Sequence, residues 1–291
     1  MKNKILILGS SGMLGHMLLD YLGSKEIYTL FDISRQYKTR AETNILDVND
    51  SNSLREVIES VEPDFIINCI GVLIKESNRS IEKAIRINSA LPHLLSHIAG
   101  DVGSKLIHIS TDCVFSGAKG DYSVSDFRDA DDIYGRTKAL GELNNSRDMT
   151  LRTSIIGPEL KEEGEGLFHW FVKQKGQVMG FSNVYWSGLT TLQLAKEIEG
   201  AINVFEPGLY NVSNNQKISK YELLLIIADI FELTIRLIPS HSKSCDKSLV
   251  NSYKGDDYAL PDYKSMIADL RLLMENSVGK RYKHYSAFLN G

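Results

Sequence analysis

Ile5-Leu6-Ile7-Leu8-Gly9-Ser10-Ser11-Gly12-Met13-Leu14-Gly15, near the start of the chain, decides the fold. Four consecutive apolar residues are what a strand covered on both faces requires, because a strand with one wet face alternates instead. The three glycines that follow let a backbone turn tightly, come close to a pyrophosphate and pass into a helix. A helix starting at Met13 presents its free N–H groups and the positive end of its dipole to that charge. The candidate phosphate contacts are therefore Gly9, Ser11, Gly12, Met13, Leu14 and Gly15. Glycine-rich turns follow many buried strands, so the reading rests on what surrounds this one.

Working outward, short β-rich runs at 26–31, 65–70, 106–109 and 151–156 alternate with helical patterns at 13–22, 53–61, 81–99 and 135–144. Ser51 or Asn52 can cap the second helix, with Glu56 near its first turn. Strand, helix, strand repeated in this way predicts an α/β fold with a doubly wound parallel sheet. After Ile156 the rhythm changes, through Gly157-Pro158 and a charged, glycine-rich stretch at 161–166, to a cluster of aromatics from Phe168 to Trp186. Helical patterns at 192–202 and 220–231, a short strand at 208–212, a polar tail over 241–262 and a last helix at 263–275 complete the chain. The expected division is 1–156 as a nucleotide-binding domain and 157–291 as a smaller α/β lobe, partly interleaved with it.

Composition narrows the function classes. With 291 residues, 33 Lys plus Arg against 37 Asp plus Glu and no block of like charge, nucleic acid is not the expected partner. The apolar run before Gly9 is too short for a leader, and the later run at 223–228 stops at Asp229, far short of the ~20 residues a membrane span needs. Cys69, Cys113 and Cys245 lie far apart and are odd in number, which points to a reducing compartment, the cytoplasm by default, and against a zinc site. His93 and His97 share a helix face but have neither a glutamate in register nor a third ligand, so no metal is expected.

The second strand leads to Asp32, suited to an adenosine ribose, and to Ser34 and Arg35, suited to a 2′-phosphate. The two cues oppose each other, and the expectation is NADPH with NADH as a second choice. Asp47 and Val48 follow the third strand, where they can meet adenine, and Asn68, Cys69, Ile70 and Gly71 lie where a cofactor crosses the sheet. Ser110-Thr111-Asp112 closes the fifth strand, and Tyr134 precedes Lys138 by four residues on one helical face. There the ammonium can lower the phenol's pKa and hold the nicotinamide ribose, while the threonine hydroxyl shares a substrate oxygen.

The glycine loop with His16, the segment His108 to Gly117, the run Tyr134 to Glu142 and Leu151 to Ser154 resemble the extended short-chain dehydrogenases/reductases, and within them the dTDP-4-dehydrorhamnose reductase branch. That resemblance implies a Rossmann domain with a sugar-nucleotide lobe and reduction of a nucleotide-linked 4-keto-6-deoxyhexose. It makes Thr111, Tyr134 and Lys138 the catalytic set and puts Asp112 near the substrate; dimers are common among such relatives. Two positions depart from the rhamnose-forming pattern: Cys113 stands where an aromatic residue is usual, and Ile155 where a tryptophan is. Both touch the sugar pocket, so a UDP-linked 4-keto-6-deoxy-HexNAc is an alternative substrate. Trp186 is a candidate wall of the same pocket. Cys113 directly after Asp112 disfavours a dehydratase, while a 4-epimerase with resident NAD and a non-catalytic regulatory subunit stay as alternatives.

Overall fold

In the computed structural model, which describes residues 2–255, 258–277 and 281–289, Ile5 and Ile7 face one core and Leu6 and Leu8 another. All four have no exposed surface. A fully buried aliphatic side chain contributes roughly 1.5–3 kcal/mol, so the unbroken apolar run is what a strand between two helical layers needs. Asp256 and Asp257 of the expected polar tail lie outside the described residues.

The first half runs β1 (Asn3–Leu8), α1 (Met13–Gly23), β2 (Tyr28–Ser34), β3 (Asn44–Ile45), α2 (Ser51–Val61), β4 (Phe65–Asn68), α3 (Ile74–Arg79), α4 (Ile81–Ala84), a π-helical segment (Ile85–Ala90), α5 (Leu91–Val102), β5 (Lys105–Thr111), α6 (Ile133–Leu140) and β6 (Met149–Thr153). The second half adds β7 (Ile155–Ile156), α7 (Leu167–Val172), β8 (Gly176–Trp186), β9 (Leu189–Thr190), α8 (Thr191–Asn203), β10 (Gly208–Asn211), β11 (Ile218–Ser219), α9 (Lys220–Ile230), β12 (Ile235–Asp246), α10 (Tyr263–Glu275) and α11 (Ser286–Leu289).

Seven parallel strands form the main sheet in the order β10-β6-β5-β4-β1-β2-β3, the doubly wound Rossmann arrangement. Its strand β10 comes from beyond residue 156, and α8 packs on α1, so the two halves of the chain interleave. β8 pairs with β12 and β11 in a second, three-stranded sheet, and β7 pairs with β9. Among the described residues, no helix is long and apolar enough to cross a membrane.

Several elements differ from expectation for local reasons. Asp50, not Ser51 or Asn52, caps α2 by accepting from Ser53 N at 3.1 Å. The expected helix at 81–99 is interrupted by the π turn that carries Asn88. Asn88 accepts from Val72 N at 2.8 Å and donates to Val72 O at 3.0 Å and Thr137 Oγ1 at 3.2 Å, so the widened turn ties the segment after β4 to α6. The strand expected at 151–156 breaks at Ser154, where the chain leaves the main sheet for β9. Part of the polar tail proves to be strand: β12 runs to Asp246 along β8.

Candidate active site

The carboxyl ends of β1, β4 and β5 open onto two connected hollows, of about 190 and about 690 Å³, that share Ser11, Gly12, Cys69 and Gly71. The turn between β1 and α1 depends on its glycines. Gly9 has φ +82° and packs so close to Ile70 and Cys69 that a side chain would crowd them. A Cβ on Gly15 would lie 2.1 Å from the Gly9 carbonyl oxygen. Gly15 thus lets helix and loop touch and does not itself line the hollows, a correction to its expected contact role. The N-cap Gly12 offers no side chain to the first turn of α1, which leaves the Met13 and Leu14 N–H groups beside the larger hollow. Open N–H groups at a helix start fit a pyrophosphate.

The smaller hollow is lined by Arg35, Asp47, Val48, Ile70 and, without any signal in the sequence, Lys83 and Asn49. Asp32 is absent from it, which corrects the ribose assignment. β2 continues to Ser34, so Ile33 and Arg35 face the hollow while Asp32 and Ser34 point the other way. Arg40 Nε lies 2.7 Å from Asp32 Oδ1, and Thr39 Oγ1 donates to Oδ2 at 3.0 Å. Burial opposes ionisation of this carboxyl, but hydrogen bonds from Ser10, Arg40 and Thr43 outweigh it and hold its pKa below the ordinary value. Ser34 is buried, and its hydroxyl has no partner among the described residues.

The larger hollow brings together Thr111, Asp112, Cys113, Tyr134, Lys138 and Ile155. Thr111 ends β5 with its hydroxyl 3.0 Å from Asp112 Oδ1, and accepts from Cys113 N at 3.1 Å. Asp132 caps α6 at Gly135 N, 2.8 Å away, and so sets the face on which Tyr134 and Lys138 emerge. Lys138 Nζ donates to the Ile109 carbonyl at 2.7 Å and stands 3.5 Å from His108 Nε2. Burial lowers the Lys138 pKa to about 8, while Glu142 and Cys69 act in the opposite direction. The Tyr134 phenol is raised, chiefly by burial and then by Cys113, with the Thr111 hydroxyl opposing. Lowering of that phenol by the ammonium was expected; burial overrides it in the free cleft. Burial likewise raises the Asp112 carboxyl and pushes the Cys113 thiol up to about 12, which keeps the thiol protonated where it lines the hollow and makes it a poor nucleophile.

Trp186 is corrected from pocket wall to lobe core. It is 6% exposed, packs against Tyr263 with ring centroids 5.6 Å apart, and donates from Nε1 to Ser154 Oγ at 2.8 Å. Ser154, which it holds, is the residue that lines the cleft. The loop before α7 supplies Glu159, Leu160, Lys161 and Glu165 to the opposite wall, and Glu159 Oε1 accepts from Gly166 N at 2.6 Å. Lys75 of α3 meets Glu165 at 3.6 Å from across the hollow. No cluster of metal-ligating side chains occurs among the described residues.

A doubly wound sheet with a glycine turn at its centre and a Thr, Tyr and Lys grouping beside it defines an extended short-chain dehydrogenase/reductase fold. The chain belongs to the family described as RmlD substrate binding domain, whose profile matches residues 2–253. It is 27% identical over 238 residues, 78% of each chain, to the spore coat polysaccharide biosynthesis protein SpsK of Bacillus subtilis (strain 168). It is 25% identical over 256 residues, 79% of this chain and 72% of the relative, to methionine adenosyltransferase 2 subunit beta of Mus musculus. The crystal structure of dTDP-4-dehydrorhamnose reductase from Bacillus anthracis in complex with NADP superposes with a TM-score of 0.81 at 21% identity, covering 94% of this chain and 100% of that one.

Proposed function

We propose that the protein is an NAD(P)H-dependent reductase of a nucleotide-linked 4-keto-6-deoxyhexose, of the dTDP-4-dehydrorhamnose or UDP-4-keto-6-deoxy-HexNAc type, in the making of a surface polysaccharide. The observation that carries this reading is that Thr111, Tyr134 and Lys138 line one hollow, which is continuous with the glycine turn. The glycine turn and the first N–H groups of α1 hold the cofactor's pyrophosphate, and Lys138 holds its nicotinamide ribose. Arg35 makes NADPH the preferred form: it lines the adenosine end and has no ion pair among the described residues, whereas Asp32 is occupied by Arg40. The chemistry a reduced nicotinamide supplies is a hydride to the carbonyl carbon.

The chain's own groups do the rest. Tyr134 gives its phenolic proton to the carbonyl oxygen, and Thr111 shares that oxygen so that the developing charge stays within reach of the phenol. Its raised pKa keeps Tyr134 protonated until the substrate arrives. Asp112, Cys113, Ser154 and Ile155 surround the sugar. The smaller Cys113 and Ile155 leave room where the rhamnose-forming pattern has bulk, which favours a ring substituent larger than hydroxyl. The SpsK relative, named for polysaccharide biosynthesis, agrees with the pathway class.

The test is loss of NADPH and NADH absorbance when the purified protein meets dTDP-, UDP- and GDP-linked 4-keto-6-deoxy sugars in turn. Consumption with one nucleotide class supports the reductase and names its substrate. The similarity to methionine adenosyltransferase 2 subunit beta, named as a subunit and not as a reductase, favours a second reading, cofactor binding without turnover. Binding of NADPH with no consumption on any sugar would move the assignment there, or to an epimerase.

A further inference from the structure

Behind Lys138 lies a pair of buried polar side chains that the proposed chemistry has not used. Asn68 ends β4 and His108 sits in β5 beside it, both without exposed surface. Asn68 Oδ1 lies 3.1 Å from Ile70 N, and an N–H can only donate, so this contact settles which end of the amide is oxygen. The other end, Nδ2, is then a donor facing His108 Nδ1 at 3.1 Å. Nδ1 must accept. A neutral imidazole accepting at Nδ1 carries its proton on Nε2, and Nε2 is the atom 3.5 Å from Lys138 Nζ.

We infer that Asn68 and His108 form a relay that turns an imidazole N–H, and not a lone pair, toward the Lys138 nitrogen, and so favours release of the Lys138 proton. The inference rests on the reductase reading for its use, though not for its geometry. An ammonium has only donors, so an N–H aimed at it repels; the neutral amine has a lone pair that accepts. Lys138 keeps its bond to the Ile109 carbonyl in either state, so the exchange needs no movement.

The other groups around Lys138 do not supply this push. Glu142, just past the end of α6, favours the ammonium, and it is itself held by Arg152 and Arg128. Cys69, after β4, is a neutral thiol whose pKa burial raises to about 12. His93 of α5 is bonded to the Leu140 carbonyl at 2.8 Å, and Tyr134 lies one turn back on α6. His108 stays neutral because burial, with Lys138 and His93 adding to it, lowers its pKa well below the ordinary value. In turnover, a Lys138 that yields its proton readily can restore the one Tyr134 gives to substrate and refill its own from solvent. His108 is thus a positioning residue that acts through Lys138.

Asn68→Asp tests the relay with one atom changed. Its second carboxylate oxygen would accept from Nδ1–H, invert the ring and offer Lys138 a lone pair. Long-range ¹H–¹⁵N spectra of the cofactor-free protein report the ring's tautomer, with the His108 signals assigned by their absence in His108→Gln. ¹³Cε spectra of labelled lysine give the Lys138 midpoint. The expected results are an Nε2–H ring in the parent protein and, in Asn68→Asp, an Nδ1–H ring together with a Lys138 midpoint raised by about one unit or more; the new carboxylate's charge alone raises that midpoint, so a raised midpoint over an uninverted ring overturns the inference. The high-pH limit of turnover should move with it. An Nδ1–H ring in the parent protein, a midpoint that stays put in the variant, or a moved midpoint with an unmoved turnover limit each overturns the inference. Failure of the parent protein to reduce any keto sugar sinks the reductase reading instead, and the two spectra, read without substrate, still decide the relay.

Discussion

Arg40 grips Asp32 from eight residues further along the chain, Nε to Oδ1 at 2.7 Å, and turns the carboxylate away from the hollow where an adenosine would lie. Arg35 is left as the charged side chain of β2's end that faces that hollow. Arg35→Ala should raise the KM for NADPH about tenfold or more while NADH changes less than about twofold, since a charge-assisted bond to phosphate is worth roughly 1.5–3 kcal/mol. Asp32→Asn should lower the Tm yet leave NADH binding within about twofold. Strong loss of NADH affinity in that variant would restore Asp32 to the ribose.

Tyr134→Phe removes the proton donor and nothing that holds a cofactor's phosphates. Turnover should fall by about 10²–10⁴-fold, with the Kd for NADPH, followed by fluorescence, changed by less than about twofold. Full activity in this variant would mean another acid serves the carbonyl.

Lys138 has a pH signature in stability as well as in rate. Its pKa is about 8 in the folded chain against an ordinary 10.5, a gap of roughly 3 kcal/mol. Below pH 8 both states hold the proton, and the cost of the buried ammonium is present in full. Between pH 8 and about 10 the unfolded chain binds more protons than the folded one, so stability rises with pH and the cost disappears. Lys138→Met should therefore be inactive but about 1–3 kcal/mol more stable than the parent at pH 7, with the difference in Tm narrowing toward pH 10. A difference that does not vary with pH would show that the ammonium carries no such cost.

Glu142 and Arg152 form a buried, two-pronged pair, Nε to Oε1 at 2.8 Å and Nη2 to Oε2 at 2.7 Å. Ser110, beside Thr111, donates to the same carboxylate at 2.7 Å. Glu142→Ala strands a buried guanidinium and should cost about 3–5 kcal/mol, read as a fall in Tm. Because Ser110 loses its anchor, kcat should fall as well, even though Glu142 does not line the hollow.

Cys69 and Cys113 both have thiols raised by burial to about 12. Iodoacetamide at pH 8 should therefore leave both unlabelled in the folded protein and modify them on unfolding, as mass spectrometry of the digested protein can show. Rapid labelling of Cys113 in the native state would reopen its reading as a nucleophile.

Local pattern alone makes much of this legible. The run from Ile5 to Leu8 must be covered on both faces, and its glycine turn has one common use at such a place. Tyr134 and Lys138 share a face by helix period alone, and Thr111 follows from the end of the neighbouring strand. Where expectation failed, the deciding contact was remote. Arg40 has no spacing that ties it to Asp32, and because β2 runs two residues past Asp32, it is Ile33 and Arg35 that reach the hollow. The aromatics from Phe168 to Trp186 read more often as core than as wall, and Trp186 stands as a wall candidate only through the Ser187-Gly188 that follow it. β12 is polar since one face of its sheet is wet, and so it resembled a tail.

The amino-acid sequence by itself determined the α/β order, the glycine turn and the membership of the Thr111, Tyr134 and Lys138 set, because each is written in periodicity or adjacency along the chain. Only the tertiary structure decided which neighbours those groups meet. Asp32 is claimed by Arg40, Trp186 by Ser154 and Tyr263, and the Lys138 nitrogen by the Ile109 carbonyl and His108. Charge state and orientation in a buried site depend on what lies within a few ångströms in space, and those distances arise only when separate strands and helices pack together.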